Sequence, residues 1–162
     1  MSEPPSRDEL AGIGLFGGLD EATLDEFVRR LPIHNLDAGD VIFREGDTGR
    51  DLYVVLQGEM EVIKNSKNER ETRVAMLGPG DWFGEMSILD IMPRSATVRA
   101  LAPSRLLKLS AHDLDVLYRR DVRAYAIIVL NTAREMSRRL RVADGILADV
   151  MANLADTYTR RR

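Results

Sequence analysis

The stretch FGEMSILDIMPRSATV, residues 83–98, gathers the side chains of this sequence best suited to chemistry. Gly84 stands directly before the carboxylate of Glu85, and Arg94 follows a short, mostly apolar spacer, in front of the small residues Ser95 and Ala96. No catalytic pair is visible in it; its chemistry is binding. Arginine presents a planar fork of donors and keeps its charge when buried, which suits a phosphate taken out of water. Gly84 lets the backbone approach such a ligand. GEMSILD is long enough for a short helix whose first N–H groups would add donors. Ser95 adds a hydroxyl, beside the N–H groups of Ser95 and Ala96. Glu85 would repel a phosphate, so its natural partner is a neutral hydroxyl pair. A ribose 2′-OH fits, as acids sit on ribose in dinucleotide sites. The competing reading is an internal Glu85–Arg94 ion pair with no ligand at all.

Little else in the chain offers chemistry. There is no cysteine, which excludes disulfides, thiolate catalysis and cysteine-held iron–sulfur clusters. The two histidines, His34 and His112, belong to no His-x-His pair, so neither a multi-histidine metal site nor a cupin-like metal enzyme is expected. The expectation is therefore no enzyme, no metal and no cofactor. With 44% apolar residues, 30% charged residues and a net charge of −3, the composition is that of an ordinary soluble protein without general affinity for nucleic acid. The start, MSEPPSRDEL, lacks the basic and apolar regions of a secretory signal. No apolar run approaches the ~18 residues of a membrane span. A cytoplasmic protein with no membrane contact is expected.

The elements that must position residues 83–98 follow from periodicity. At 162 residues the chain has room for one domain with a core, taken as 1–162. Residues 7–31 read as helical: Leu24, Phe27, Val28 and Leu31 share one face, Asp20 is placed to cap it and Pro32 to close it. Between 33 and 110, short β-branched segments recur between glycine and Asp/Asn turns, which predicts a small antiparallel barrel or jelly roll. Its polar hairpin loop is SKNER (66–70), and its glycines, Gly84 excepted, read as turns with positive φ. Helical period returns over 111–160, with Ser110 as a cap and one long helix from about Val122. Along it Val129, Ala133, Met136, Leu140, Ala143, Leu147, Val150 and Leu154 are spaced 4, 3, 4, 3, 4, 3, 4. That heptad seam predicts a parallel homodimer through the 129–154 helix; the alternative is one amphipathic helix lying along the barrel. Gly145 interrupts the seam's helix at a cost of about 1 kcal/mol relative to alanine. The fold class expected is α+β: an antiparallel jelly-roll barrel flanked by N-terminal helices and a long C-terminal helix.

With these residues in view, FGEMSILDIMPRSATV resembles the phosphate-binding cassette of cyclic nucleotide-binding domains. AGDVIFREGDTGRDLYVVLQGEMEV resembles the family's glycine-punctuated early strands, and LNTAREMSRRLRVADGILADV the long dimerisation helix of bacterial catabolite-activator-type regulators. The resemblance runs from about 15 to 155. It implies a ligand set of Phe83, Gly84, Glu85, Met86, Ser87, Arg94, Ser95, Ala96 and Val98. Arg94, Gly84 and the Ser95–Ala96 backbone would hold the cyclic phosphate, Glu85 the ribose 2′-OH, and Ser87 would donate nearby. The family's spacing between Glu85 and Arg94 is here that of kinase and channel domains, while the long helix looks bacterial. Two departures stand out. The hydroxyl pair by which bacterial activators read the adenine edge is replaced by Ala143 and Asp144; Asp144 can accept from an adenine amino group or from guanine, and cAMP is favoured over cGMP. Those regulators also continue into a helix-turn-helix, whereas this chain ends NLADTYTRRR, so no nucleic-acid contact is expected of it alone. The terminal arginines read as a solvated end. A stand-alone sensor, the sensor part of a transcription regulator, and a same-fold module for another ligand or none are the functional alternatives.

Overall fold

The computed structural model describes residues 4–66, 68 and 70–159, and for 156–159 the backbone alone. The first three residues, two positions of the 66–70 loop and the arginines at 160–162 lie outside the described residues. The N-terminal segment is helical in three pieces: α1 (Arg7–Ala11), a 3₁₀ turn (Gly14–Phe16) and α2 (Glu21–Arg30). Asp20 caps α2 as its sequence position predicts, its Oδ1 accepting from the Thr23 N–H at 2.8 Å.

Among the described residues eight strands follow: β1 (Ile33–Leu36), β2 (Val41–Phe43), β3 (Asp51–Gln57), β4 (Met60–Asn65), β5 (Glu71–Leu77), β6 (Trp82–Phe83), β7 (Thr97–Ala100) and β8 (Ser104–Ser110). They form two four-stranded sheets, β1-β8-β3-β6 and β2-β7-β4-β5, with every pair antiparallel. This is the expected jelly roll. A short helix, α3 (Met86–Leu89), sits between β6 and β7, and α4 (Ala111–Arg120) and α5 (Val122–Thr159) complete the chain.

Strand alternation assigns two cores. Leu52, Val54 and Leu56 of β3, with Leu107 and Leu109 of β8, pack against the helices, together with Leu10, Phe16, Phe27, Leu117 and Ile128. Tyr53 and Val55 point the other way and join Met60, Phe83, Val98 and Leu106 between the sheets. The first sheet is thus covered on both faces, which is why β3 reads as an unbroken apolar run. On the second sheet, β5 is an edge strand exposed at every residue but Leu77.

The long helix has two unlike parts. Ala124, Ile128 and Thr132 are buried on its barrel side. Asn131 Nδ2 donates to the carbonyls of Leu15 at 3.1 Å and Gly17 at 2.9 Å, tying α5 to the 3₁₀ turn. From 140 to 155 every residue is exposed. A 38-residue helix spans about 57 Å. The reading of α5 as a helix lying along the barrel therefore holds for its first half and fails for its second, where Leu140, Leu147, Val150 and Leu154 stay in solvent.

Candidate functional site

Gly84 has φ +88°, and a Cβ there would come within 2.7 Å of the Asp51 carbonyl oxygen and 2.9 Å of Arg94 Nη1, so glycine is required twice over. Glu85 occupies the N-cap position of α3 but does not cap it. Its carboxylate turns instead toward α5 and is only 5% exposed.

Arg94 is 4% exposed and closely held. Its Nη1 donates to the carbonyls of Asp51 at 2.7 Å and Gly84 at 3.2 Å. Its guanidinium lies 4.1 Å from the centroid of the Phe43 ring. Gly49 backs it: a Cβ at Gly49 would sit 2.7 Å from Nη2. Gly49 therefore serves close approach and not the positive-φ turn its sequence context suggested, and Gly78 likewise falls outside the positive-φ glycines. The backbone of Arg94 is clasped to the loop after β2, by Arg94 N–H to Asp47 O and Gly46 N–H to Arg94 O, both 2.8 Å.

The internal Glu85–Arg94 ion pair does not form. Glu85 Oε1 instead accepts from Arg139 Nη1 at 3.2 Å, while Arg139 Nε bonds Glu135 at 3.1 Å and Nη2 bonds the Trp82 carbonyl at 2.6 Å. Burial pushes the Glu85 carboxyl above the ordinary carboxylate range; Arg139 opposes that shift and Glu135 adds to it. Burial also lowers the Arg94 guanidinium from its ordinary value. Two buried atoms here, Glu85 Oε2 and Arg94 Nε, have no hydrogen-bond partner. Both groups have partners elsewhere, but a buried polar atom left without one is costly in a folded protein, and a hydroxyl and an anion are the partners this acceptor and this donor would take.

Both residues line one cavity of about 390 Å³, within the range of small-ligand sites. Phe83, Gly84, Met86, Ser87, Ser95, Ala96 and Val98 line it too, so the structure brings together nine of the ten residues singled out from sequence. Ser95 Oγ lies 3.7 Å from Met86 Sδ across it. Asp144 does not join them: it is on the exposed half of α5 and lines no part of the cavity of its own chain. Asp144 is five residues past Arg139, about 7.5 Å farther along the axis and turned by about 140°.

The sequence reading missed Glu135 and Arg139, together with Phe43 and the wall made by Val62, Ala75, Met76 and Leu77. A signal for the α5 pair existed. Ala124, Ile128 and Thr132 form the buried stripe of α5, and the same stripe continues at helical spacing into Glu135 and Arg139. Among the described residues no three His, Cys, Asp or Glu side chains are placed to hold a metal, and no helix is long and apolar enough to cross a membrane.

A jelly roll with a glycine–glutamate–arginine cassette facing a long helix defines a class of ligand-binding domain. Residues 33–121 match the Cyclic nucleotide-binding domain family, and the chain belongs to that family. It is 37% identical over 139 residues to the cyclic AMP receptor protein of Thermus thermophilus, covering 83% of this chain and 61% of that one. A solved cyclic nucleotide-binding domain from Methylobacillus flagellatus superposes with a TM-score of 0.81 at 27% identity, over 88% of this chain and 83% of that one. The regulatory domain of Toxoplasma gondii PKA, solved with cAMP, gives 0.62 at 33% identity, over 68% and 42%. The chain spans about three fifths of the length of the cAMP-receptor relatives it matches.

Proposed function

We propose that this chain is a non-catalytic receptor for a cyclic nucleotide, cAMP ahead of cGMP, whose occupancy is relayed through α5. The carrying observation is a pair of partnerless buried atoms, Glu85 Oε2 and Arg94 Nε, belonging to two residues that line one small cavity. Arg94 would hold the cyclic phosphate with the Gly84 and Ser95–Ala96 backbone, and Glu85 Oε2 would accept the ribose 2′-OH. Each contact removes a burial penalty that the ligand-free chain carries, so binding and relief of strain have the same sign. Phe83, Met86, Ser87 and Val98 complete the walls. The preference for cAMP rests on the cyclic AMP receptor protein of Thermus and on the cAMP complex of the Toxoplasma domain. Calorimetric titration with cAMP and cGMP tests it: micromolar or tighter binding is expected, weakened at least about a hundredfold in Arg94→Ala, in which a buried charge contact is lost. No binding of either nucleotide at millimolar concentration by folded, ligand-free protein sinks the reading.

The relay needs a receiver. The exposed seam Leu140, Leu147, Val150 and Leu154 continues the heptad of Val129 and Met136, and a second copy is its proposed partner, in a cytoplasmic homodimer. Sedimentation equilibrium would show a dimer that dissociates in Leu140→Ser/Leu147→Ser; a wild type that sediments as a monomer across the whole concentration range of the assay removes the dimer from the proposal.

A further inference from the structure

Arg139 is held at every nitrogen of its guanidinium: Nε by Glu135 at 3.1 Å, Nη1 by Glu85 at 3.2 Å, and Nη2 by the Trp82 carbonyl at 2.6 Å. A planar fork fixed at three corners has no freedom to rotate, and it fixes in turn the carboxylate it touches. It engages only Oε1 of Glu85, and Oε2 is the oxygen left buried without a partner. Glu135 itself is fixed from its other side, its Oε2 lying 2.8 Å from Arg138 Nη2.

We propose that Glu135 is a positioning residue for ligand binding: by holding Arg139 Nε it fixes the guanidinium against Glu85 Oε1, which leaves Oε2 as the acceptor for the ligand's hydroxyl. The proposal rests on the cyclic-nucleotide reading of the cavity. Glu135 also lines the cavity, but the role proposed for it is exerted through its hydrogen bond with Arg139 Nε. Its charge has a second effect of opposite sign. Glu85 is faced by Glu135 and Arg139 from α5, with Arg138 beyond Glu135, while Asp81 from the β5–β6 turn and Arg94 from the approach to β7 line the same cavity. Of these, Glu135 adds to the upward shift of Glu85 and Arg139 counters it. Glu135 thus orders the site and at the same time makes Glu85 easier to protonate, which places part of the ligand's pH dependence on α5.

The two effects separate by substitution. Glu135→Gln keeps an oxygen acceptor for Arg139 Nε and removes the charge; Glu135→Leu removes both. Calorimetric cAMP titration at several pH values should find Glu135→Gln within about threefold of wild type at neutral pH, with its affinity lost at a lower pH on acidification. Glu135→Leu should bind roughly tenfold more weakly, the order expected when a charge-assisted contact is lost, and should cause no further loss in an Arg139→Ala background. Thermal melts of each variant confirm the fold. Wild-type affinity in Glu135→Leu, additive losses with Arg139→Ala, or a Glu135→Gln as weak as the leucine variant would each overturn the proposal. A ligand-free arm separates it from the nucleotide reading. Carboxyl NMR titration should find Glu85 ionising at lower pH in Glu135→Gln than in wild type, whichever nucleotide binds. An unchanged Glu85 titration overturns the role assigned to Glu135; failure of wild type to bind either nucleotide overturns the ligand assignment instead.

Discussion

Two buried glutamates in this barrel have met opposite fates. Glu61 on β4 is 3% exposed and Glu85 is 5% exposed. Glu61 is satisfied on both oxygens: Oε2 accepts from Arg73 Nε at 2.7 Å, and Oε1 from Arg99 Nε at 2.7 Å and Nη2 at 2.6 Å. The bond from Arg73, then that from Arg99, hold its carboxyl below the ordinary range. Glu85 has a partner on one oxygen only, and burial wins, so its carboxyl is raised. Low exposure alone does not distinguish them: Glu61 is covered by two partly exposed arginines at the sheet surface, whereas Glu85 is enclosed in the interior with one oxygen left without a partner.

The largest effect that would break this comparison is on binding. Glu85→Ala should weaken cAMP about a hundredfold, near the upper end for losing a hydrogen bond to a charged group, while Glu61→Ala stays within about threefold. Comparable losses in calorimetry would erase the distinction. Stability should invert the order. Glu61→Ala should cost about 1–2 kcal/mol in urea, discounted because Arg73 and Arg99 are half-exposed and can turn to water. Glu85→Gln should leave the ligand-free chain at or above wild-type stability at neutral pH, since it removes a charge that burial penalises.

The pH dependences follow with opposite signs. The Glu61 carboxyl is depressed, so its contribution is present above its unfolded pKa and is lost as pH falls through the folded value. The Glu85 carboxyl is raised, so its contribution is present below its unfolded pKa and is lost as pH rises through the folded one. Urea midpoints measured across the acid range should therefore lose their fall with rising pH in Glu85→Gln, and a part of their fall with acid in Glu61→Gln. Identical profiles for the two variants contradict the assignment. The smallest effect is expected from Arg73→Ala: Arg99 remains on Glu61, and about 0.5–1 kcal/mol is the most that one half-exposed partner should contribute.

Much of this site was legible before folding. Gly84, Glu85 and Arg94 are close in sequence, and their types carry the chemistry in themselves: only glycine takes φ +88° against the Asp51 carbonyl, and only arginine offers a charged fork when buried. Strand alternation and turns likewise disclosed the jelly roll, because period 2 and glycine placement are local properties. The heptad of α5 was equally plain as a pattern, though a pattern does not say where a helix leaves its barrel.

What lay beyond the sequence was partnership across long separations. Arg94 and Glu85 looked like each other's counter-ions, nine residues apart, yet Arg94 went to the Asp51 and Gly84 carbonyls and the Phe43 ring, and Glu85 went to Arg139, 54 residues away. Asp144 was chosen by its place after RRLRV, but the rotation of α5 on the buried contacts of Ala124, Ile128 and Thr132 brings Glu135 and Arg139 to the cavity instead. The sequence by itself determined which groups can bind a phosphate and a hydroxyl, since that is a matter of residue type and local backbone. Only the tertiary structure decided which of their atoms are left without a partner, because hydrogen-bond satisfaction depends on what the packing of distant elements places within 3 Å or so.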